Sequence, residues 1–432
     1  MKKVLLKLKE SIWLIPSIYC IISFAITLIV IYIDKVHSDF LQNKIPSIFM
    51  TSVDLAQIIL GTISAALLTM TTITFSTIMV VLTTYTSQFS PRTLKDFVTK
   101  SSTMRVLGVF LGAFIYSIVT LLFMRKETID HPVISATVGV TVAIISLAFF
   151  AYFIHNVASS IQVSNLIYQL TEDALKTIKE VEKDIEHAER EKRKVPIKPP
   201  SEFMHVSKVN AGSYGYIQLM DYKKLFELAE EKDFYIELNE YIGHYVSKDS
   251  RVLIIYHNKK SINFQIDDYI TIGHERTTIQ DIEFNIIKMV EIALRAISPG
   301  INDPNTAIDC IRFLRTPLTE ALQQASEYVV YYNENNVPRL MKKQEGIEQL
   351  LYTTFYQLSF YGRQDISILF AMLDTLSHIA EHSELAVKKE IAKFGQYVFR
   401  KFQHDLLEEL DRKQLSKKLK KLESSCNRNI FP

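Results

Sequence analysis

Cysteine is scarce in this sequence, with only three residues among 432. Cys20, Cys310 and Cys426 lie far apart, so they form neither the close pairs of a zinc site nor the framework of a disulfide-stapled domain. We therefore expect reduced thiols, no bound metal and no cofactor.

Charged side chains are missing from four long apolar runs, at 12–33, 55–85, 106–124 and 132–154. Each run can cross a hydrocarbon core of about 30 Å, and a backbone exposed to lipid must satisfy its own hydrogen bonds. The sequence therefore predicts an α-helical polytopic membrane domain of about four transmembrane helices. Because ion-coupled transporters usually keep ionisable groups at mid-membrane, their lack favours a passive conduit or an anchor.

Positive charge is unevenly distributed and predicts the orientation of the chain. Residues 1–153 contain 12 Lys and Arg against 7 Asp and Glu, and the rest is mildly acidic, so no domain has the strongly basic balance of a nucleic-acid partner. Under the positive-inside rule the basic clusters face the cytoplasm; they are Lys2, Lys3, Lys7, Lys9, Arg92, Lys95, Lys100, Arg105 and Lys192–Lys194. We expect a multi-pass protein of the inner (plasma) membrane with both termini cytoplasmic.

The second apolar run is unusually rich in hydroxyl groups. Four of them recur every seven residues, close to two helical turns, and a fifth lies near the same face; the set is Thr62, Thr69, Thr72, Ser76 and Thr83. Such a stripe can line a water-filled pore, or it can form hydrogen bonds across a tight helix interface.

Two further features lie in or next to the membrane runs. Gly108 and Gly112 have the spacing that lets a neighbouring helix approach closely, either within one bundle or from a second copy. The junction between membrane and cytoplasm after the second run reads Gln88-Phe89-Ser90-Pro91-Arg92. It is interpreted as a gate or, more simply, as a helix terminus ended by proline.

The chain after the membrane runs has the pattern of a cytoplasmic α+β region. We predict a transmembrane domain at 1–155, a membrane-exit helix and charged linker at 156–200, a small β-rich module at 201–275 and a mainly helical domain at 276–432. Asp221 is expected to cap a short helix, and Asp303 with Pro304 is expected to begin another. A hairpin is predicted from 328 to 341.

The segment from Ala296 to Pro304 is the best ligand-site candidate in this region. Ser298, Gly300, Asn302 and Asp303 could bind a cation or another small ligand, although a turn between two helices explains the same residues. Four arginines are expected near this turn, where they could bind a phosphate or nucleotide, although such residues more often form surface salt bridges; they are Arg276, Arg295, Arg312 and Arg315.

One histidine pair matches the letters of a zinc-protease string, His378-x-x-Glu381-His382. No third ligand for a catalytic metal can be named, so the match is interpreted as surface chemistry. Nucleotide-binding glycine loops and nucleophile elbows are also missing, and we expect no enzyme activity.

Several strings resemble one known family. They are Gln88-Phe-Ser-Pro-Arg92, Gly108-Val-Phe-Leu-Gly112, Gly215-Tyr-Ile-Gln218, Glu275-Arg-Thr277, Ala296-Ile-Ser-Pro-Gly-Ile-Asn-Asp-Pro304 and Tyr361-Gly-Arg363. With them the chain resembles the bacterial predicted membrane proteins grouped as domain of unknown function 2254, over almost its whole length. The resemblance implies the topology and the domain layout, and it implies no activity.

Two hypotheses of different class follow. The first is an oligomeric passive ion channel, with a pore lined by the second helix and a cytoplasmic gating domain. The alternative is a membrane-anchored sensor or scaffold whose large cytoplasmic region binds a small ligand or a partner protein. In both, membrane lipids and further copies of the chain are the expected partners, and nucleic acid is not.

Overall fold

A computed structural model describes residues 13–36, 46–93, 101–125, 131–183, 185, 188–402 and 407–431. The chain divides into two compact units, Met1–Gln162 and Val163–Pro432. The basic N-terminal residues Lys2 to Lys9, and Lys95 and Lys100 after the second run, lie outside the described residues.

Among the described residues, the first unit contains four long helices, each long and apolar enough to cross a membrane. They are α1 (Leu14–Val36), α2 (Val53–Gln88), α3 (Ser101–Phe123) and α4 (Ser135–Ser160). Helix α2 has 36 residues, which at 1.5 Å per residue is about 54 Å and exceeds the hydrocarbon core. The prediction of about four transmembrane helices is confirmed.

The buried interior of the first unit lies among α2, α3 and α4. Ala56 and Leu60 of α2 pack with Tyr116 of α3 and Ala136 of α4. The Tyr116 hydroxyl donates to the carbonyl of Ser135 over 2.8 Å. This bond ties α3 to the first residue of α4.

Asp34, near the end of α1, is the buried acidic side chain of this unit among the described residues. Its two carboxylate oxygens accept from the backbone amides of Ile134 and Ser135, at 3.0 and 3.3 Å. Those amides are at the start of α4, where a helix has no internal acceptors and where negative charge is favoured. Asp34 therefore caps another helix from a distance in sequence.

The second unit surrounds two β-sheets with helices. Its helices are α5 (Val163–Glu182), α6 (Tyr222–Lys232), α7 (Ile282–Ala296), α8 (Pro304–Phe313), α9 (Arg315–Gln324), α10 (Ile347–Tyr361), α11 (Ile366–Glu381), α12 (Leu385–Lys401) and α13 (Glu409–Cys426). Its strands are β1 (Glu189–Arg193), β2 (His205–Asn210), β3 (Gly215–Met220), β4 (Tyr235–Leu238), β5 (Tyr245–Val246), β6 (Arg251–His257), β7 (Ile270–Gly273), β8 (Tyr328–Tyr332) and β9 (Pro338–Lys343). The predicted α+β class is confirmed.

The larger sheet has the strand order β1-β8-β9-β4-β6-β2, and the smaller has the order β5-β3-β7. All neighbouring strands are antiparallel except β4 and β9, which run parallel. The hairpin predicted between 328 and 341 is formed by β8 and β9. Apolar side chains of both sheets and of α6 form one buried core.

The structure divides this region differently from the sequence-based domains. The predicted charged linker contains β1, which pairs with β8 as an edge strand of the larger sheet. Strands β8 and β9, from the predicted helical domain, join β4 and β6 from the predicted β-rich module. Strand β1 was not predicted because all five of its residues are charged. An edge strand tolerates such a composition where its side chains face solvent.

Several helix starts follow local sequence rules. Asp221, Asp281 and Asp303 each accept from a backbone amide at the start of α6, α7 and α8. Pro304 occupies the first turn of α8, where its missing amide costs nothing. The expected caps at Asp221 and Asp303 are confirmed.

Candidate functional site

A cavity of about 130 Å³ lies in the second unit, over one face of the larger sheet. Strands β1, β8 and β9 form its floor, and α5, α9 and the start of α7 contribute to its walls. Its polar and charged lining residues are Glu182, Arg190, Lys192, Tyr222, Tyr241, Gln280, Asp281, Glu283, Gln324, Tyr331, Lys342, Lys343, Gln344 and Glu345.

Strand register places three cations on the floor of this cavity. Lys192 pairs with Val329, and Val329 pairs with Lys342, so the two lysines share one face in one cross-strand row. Arg190 pairs with Tyr331 in the next row on that face. Two strand spacings separate the Cα atoms of Lys192 and Lys342, about 10 Å. The face therefore carries three cations on two strands, β1 and β9, on either side of β8.

Lys342 is the most buried of these cations, with 6% of its surface exposed. Its ammonium group lies 4.6 Å from the ring centre of Tyr222 and 5.5 Å from that of Tyr331. These ring contacts offset part of the cost of removing the charge from water. Among the described residues no hydrogen-bond acceptor or carboxylate contacts it, so one polar group facing the cavity is left without an acceptor.

The two cations of β1 are held by neighbouring groups. Nη2 of Arg190 donates to Oε1 of Glu182 over 2.9 Å, at the end of α5. Nζ of Lys192 donates to the carbonyl of Gln323. Burial, together with the nearby Arg190, lowers the pKa of Lys192. Lys192 thus has an acceptor in the Gln323 carbonyl, and the nearby Glu384 and Glu182 act on its pKa in the opposite direction to burial.

The opposite wall contains a buried ion-pair cluster at the start of α7. Arg276 donates to both carboxylate oxygens of Asp281, at 2.7 and 2.8 Å, and to Glu283 at 2.8 Å. Asp281 also accepts from the amide of Phe284 as the cap of α7. Arg276 therefore pairs with both acids and offsets half of their combined charge.

Gly243 shapes the loop beside this cluster. Its backbone has φ of +84°, and a Cβ at this position would contact the Asp281 carboxylate. Both the left-handed conformation and the close approach require glycine. The loop carries Tyr241 to the cavity wall, where its hydroxyl donates to Oε1 of Glu345 over 3.3 Å.

Glu345 has a strongly perturbed carboxyl group. Burial, together with the neighbouring Glu283, raises the pKa of Glu345 to about 8. The group is therefore protonated at neutral pH, and in that form it hydrogen-bonds to Glu283. Glu345 consequently adds no negative charge to balance Lys342.

The hydroxyl stripe lies on the outer surface of the four-helix unit. Thr62, Thr69, Thr72, Ser76 and Thr83 are all exposed. Four of them donate to the carbonyl four residues earlier in α2, with distances of 2.8 to 3.0 Å; these are Thr62, Thr69, Thr72 and Thr83. The stripe therefore lines no interior pathway of the described single chain.

Gly108 and Gly112 lie where α3 meets α1. A Cβ on Gly108 would be 3.0 Å from the Tyr19 ring, and one on Gly112 would be 3.2 Å from the Tyr19 carbonyl. Ser23 of α1 donates to the Gly112 carbonyl over 2.5 Å. Both glycines thus permit close packing within one chain.

The predicted junction is the end of α2. Gln88 is its last residue and Phe89 its buried cap, with the Phe89 ring edge-on to Tyr85 at 5.1 Å. Ser90 is buried and accepts from the amide of Arg92, while Pro91 begins a short 3₁₀ turn and Arg92 is exposed. The geometry is that of a helix terminus.

The segment from Ser298 to Asp303 forms a turn between α7 and α8, apart from the cavity. Ser298 accepts from the amide of Asn302, and its hydroxyl donates to Arg295. Asp303 accepts from the amide and the hydroxyl of Thr306. Gly300 is exposed, with open space around it. Of the four arginines expected near this turn, Arg276 instead binds Asp281 and Glu283, two acids that line the cavity.

His378, Glu381 and His382 offer ligand atoms within 4.8 Å of one another at the end of α11. The Glu381 carboxylate also contacts Lys421 at 3.8 Å and Ser425 at 3.1 Å. Burial, followed by the neighbouring His382, lowers the pKa of His378. Through Lys421 and Ser425, the Glu381 carboxylate therefore links α11 to α13.

The sequence-based candidates did not include the cavity. Its cations come from β1 and β9, and its acids come from the end of α5, the start of α7 and the loop before α10. A lysine inside an apolar strand pattern, such as Lys342 after Leu340 and Met341, was the available signal. The lysine alone did not identify a site, because only the strand register shows which other side chains share its face of the sheet.

Comparisons with known proteins give the family. The family described as predicted membrane protein (DUF2254) matches residues 9–378. Uncharacterized proteins Mb1321c of Mycobacterium bovis and Rv1290c of Mycobacterium tuberculosis are each 26% identical to the chain over 426 residues, which covers 95% of this chain and 80% of each relative. No solved structure matches. The chain therefore belongs to the DUF2254 family of predicted membrane proteins, as the motifs indicated.

Proposed function

We propose that this protein is a membrane-anchored sensor that binds a small molecule in the cavity of its second unit. The observation that carries the proposal is Lys342, a buried ammonium that lines the cavity without an acceptor among the described residues. A buried charge without a partner is costly. A ligand that completes its contacts gives a physical reason for keeping it there.

The connection to the membrane supports a sensing role over simple storage. Helix α5 contributes Ile178, Val181 and Glu182 to the cavity. In sequence, only Ile161 and Gln162 separate α5 from α4, the last candidate span. A ligand that favours one position of α5 therefore acts on the segment that leaves the membrane, as a shift between states of different ligand affinity.

The proposal includes location and partners. We place the protein in the plasma membrane with both termini and the second unit in the cytoplasm, on the positive-inside argument. We propose no catalytic step, because the described lining contains no serine, threonine, cysteine or histidine that could act as an activated nucleophile or base.

Ligand screening on the full chain, purified in detergent, tests the binding role. We expect small molecules to raise its melting temperature, because a ligand that binds only the folded state stabilises it. Ala325→Phe should abolish these shifts, since Ala325 lines the cavity and a benzyl side chain would occupy it. Ala386→Phe, at an exposed alanine of α12, is the matched control. Shifts that survive Ala325→Phe, or a complete lack of shifts, would contradict the proposal.

A passive conduit is the second candidate, supported by the exposure of the hydroxyl stripe on α2. Because the stripe is on the outer surface of one chain, it can line a water-filled path only between copies. This version requires a homo-oligomer with the second unit as its gate. In such an oligomer, the hydroxyl stripe faces the path between neighbouring copies and does not contact lipid.

Reconstitution in bilayers tests the conduit. Thr69→Leu and Ser76→Leu should reduce conductance, whereas Thr77→Leu should not, because Thr77 is on another face of the same helix. A purified protein that conducts no ion under voltage, tension or cavity ligands would remove this candidate and leave the sensor.

A further inference from the structure

Charge balance around the cavity favours one sign of ligand. Asp281 and Glu283 are bound by Arg276, and Glu182 is bound by Arg190. Two arginines thus pair with three acidic side chains, and Gln324 and Tyr241 donate hydrogen bonds to Glu182 and Glu345.

The lysines of the lining outnumber the one acidic side chain that the two arginines leave unbalanced, so the net charge is positive and its unpaired part lies on the sheet face. Lys342 and Lys192 share one cross-strand row and have no carboxylate partner among the described residues. Lys343 also lines the cavity from the end of β9. A cation would meet repulsion on this face, and a neutral ligand would leave the Lys342 ammonium without an acceptor.

The remaining lining is largely apolar and limits the size of the ligand. Apolar side chains from α5, α7, α9, β8 and α10 surround the charged row; they are Ile178, Val181, Ile242, Ile282, Ala321, Ala325, Val329 and Leu350. The cavity of about 130 Å³ is close to the roughly 150 Å³ of an apolar cavity that holds benzene. The cavity is therefore large enough for a group of about the size of one six-membered ring.

We propose that the cavity binds a small organic anion, with its carboxylate or phosphate against Lys342 and its apolar body between Val329 and the helices. The assignment rests on the proposed binding function and adds the chemical class of the ligand. The anion accepts from the Lys342 ammonium between the Tyr222 and Tyr331 rings, with Lys192 in the same row. Lys342 is the specificity-determining residue.

Calorimetric titration of the full chain with one ring in three charge states tests the class. The probes are benzoate, benzamide and benzylammonium, and phenyl phosphate distinguishes a phosphate from a carboxylate. We expect benzoate or phenyl phosphate to bind at least about tenfold more tightly than the other two, since one charge-assisted hydrogen bond contributes about 1.5–3 kcal/mol.

Lys342→Met should lower the affinity for the anion by about tenfold or more, and it should raise the melting temperature without ligand because it removes an unpaired buried charge. A raised melting temperature also shows that the variant is folded. Lys208→Met is the matched control, since Lys208 is exposed on β2 at the far edge of the same sheet. It should leave the affinity unchanged.

The failures of the two proposals differ. One outcome would overturn the anion assignment and keep the binding function. In it, benzamide or benzylammonium binds as tightly as benzoate, Ala325→Phe blocks this binding, and Lys342→Met does not affect it. The lack of binding by all four probes would overturn the anion assignment. The binding function itself falls only if the wider screen also yields no ligand that Ala325→Phe blocks.

Discussion

The hydroxyl of Tyr241 donates to Oε1 of Glu345 over 3.3 Å, although the two residues are on separate loops beside the cavity. The bond fixes a carboxyl group that burial and Glu283 keep protonated at neutral pH. The wall of the cavity therefore contains a titratable group whose proton is held by the folded state.

This proton predicts a pH dependence of stability. The pKa of Glu345 rises from an ordinary value of 4.5 to about 8 on folding, so between those values the folded state binds a proton that the unfolded state has lost. Stability from this group is complete below about pH 4.5 and is lost as the pH rises toward about 8. In the Glu345→Gln variant, the melting temperature should therefore decrease less between these two pH values than in the unmodified protein. Melting temperatures measured across this pH range test the prediction.

The control for this prediction is Glu348→Gln, three residues further on and exposed at the start of α10. It should retain the pH profile of the unmodified protein. Equal profiles for the protein and for Glu345→Gln would show that Glu345 ionises normally.

Loss of Arg276 should be the most damaging change at the cavity wall. Arg276→Met leaves the Asp281 carboxylate, 3% exposed, without its cation, and breaking such a buried pair costs roughly 3–5 kcal/mol. Arg312→Met removes an exposed pair with Asp309 at 3.5 Å and should cost less than about 1 kcal/mol. Thermal denaturation measures the loss of stability in both variants. Equal losses would contradict the argument that the buried pair is the more costly one to break.

Asp34 should be required for the stability of the four-helix unit. Asp34→Ala leaves the amides of Ile134 and Ser135 without their acceptor, at about 1–3 kcal/mol for each buried group. Asp34→Asn keeps one acceptor oxygen and should have a smaller effect. Melting temperatures in detergent test this order, and an alanine variant as stable as the unmodified protein would contradict the capping role.

The small size of Gly112 should matter more than that of Gly61. Gly112→Leu forces α3 away from the Tyr19 carbonyl and from Ser23, whereas a Cβ on Gly61 meets nothing within 4 Å. Overpacking of this kind costs about 1–3 kcal/mol. Gly112→Leu should therefore lower the melting temperature and Gly61→Leu should not. A Gly112→Leu variant with an unchanged melting temperature would show that α1 and α3 can move apart without a loss of stability.

Local features of the second unit were predictable because they depend on a few neighbouring residues. Asp221 and Asp303 cap their helices as expected, since the accepted amides are three residues away in sequence. The hairpin of β8 and β9 likewise joins adjacent segments. The strand at Glu189–Arg193 was missed because its partner β8 comes more than a hundred residues later.

The sequence by itself determined the four candidate spans, since an uncharged run of sufficient length can avoid unsatisfied backbone groups in lipid only as a helix. It also determined the family, through short strings of specific residues. The tertiary structure alone decided the cavity. Lys192 and Lys342 share a face only because β1 and β9 both pair with β8 in one register, and one residue of slip would turn each side chain to the other face.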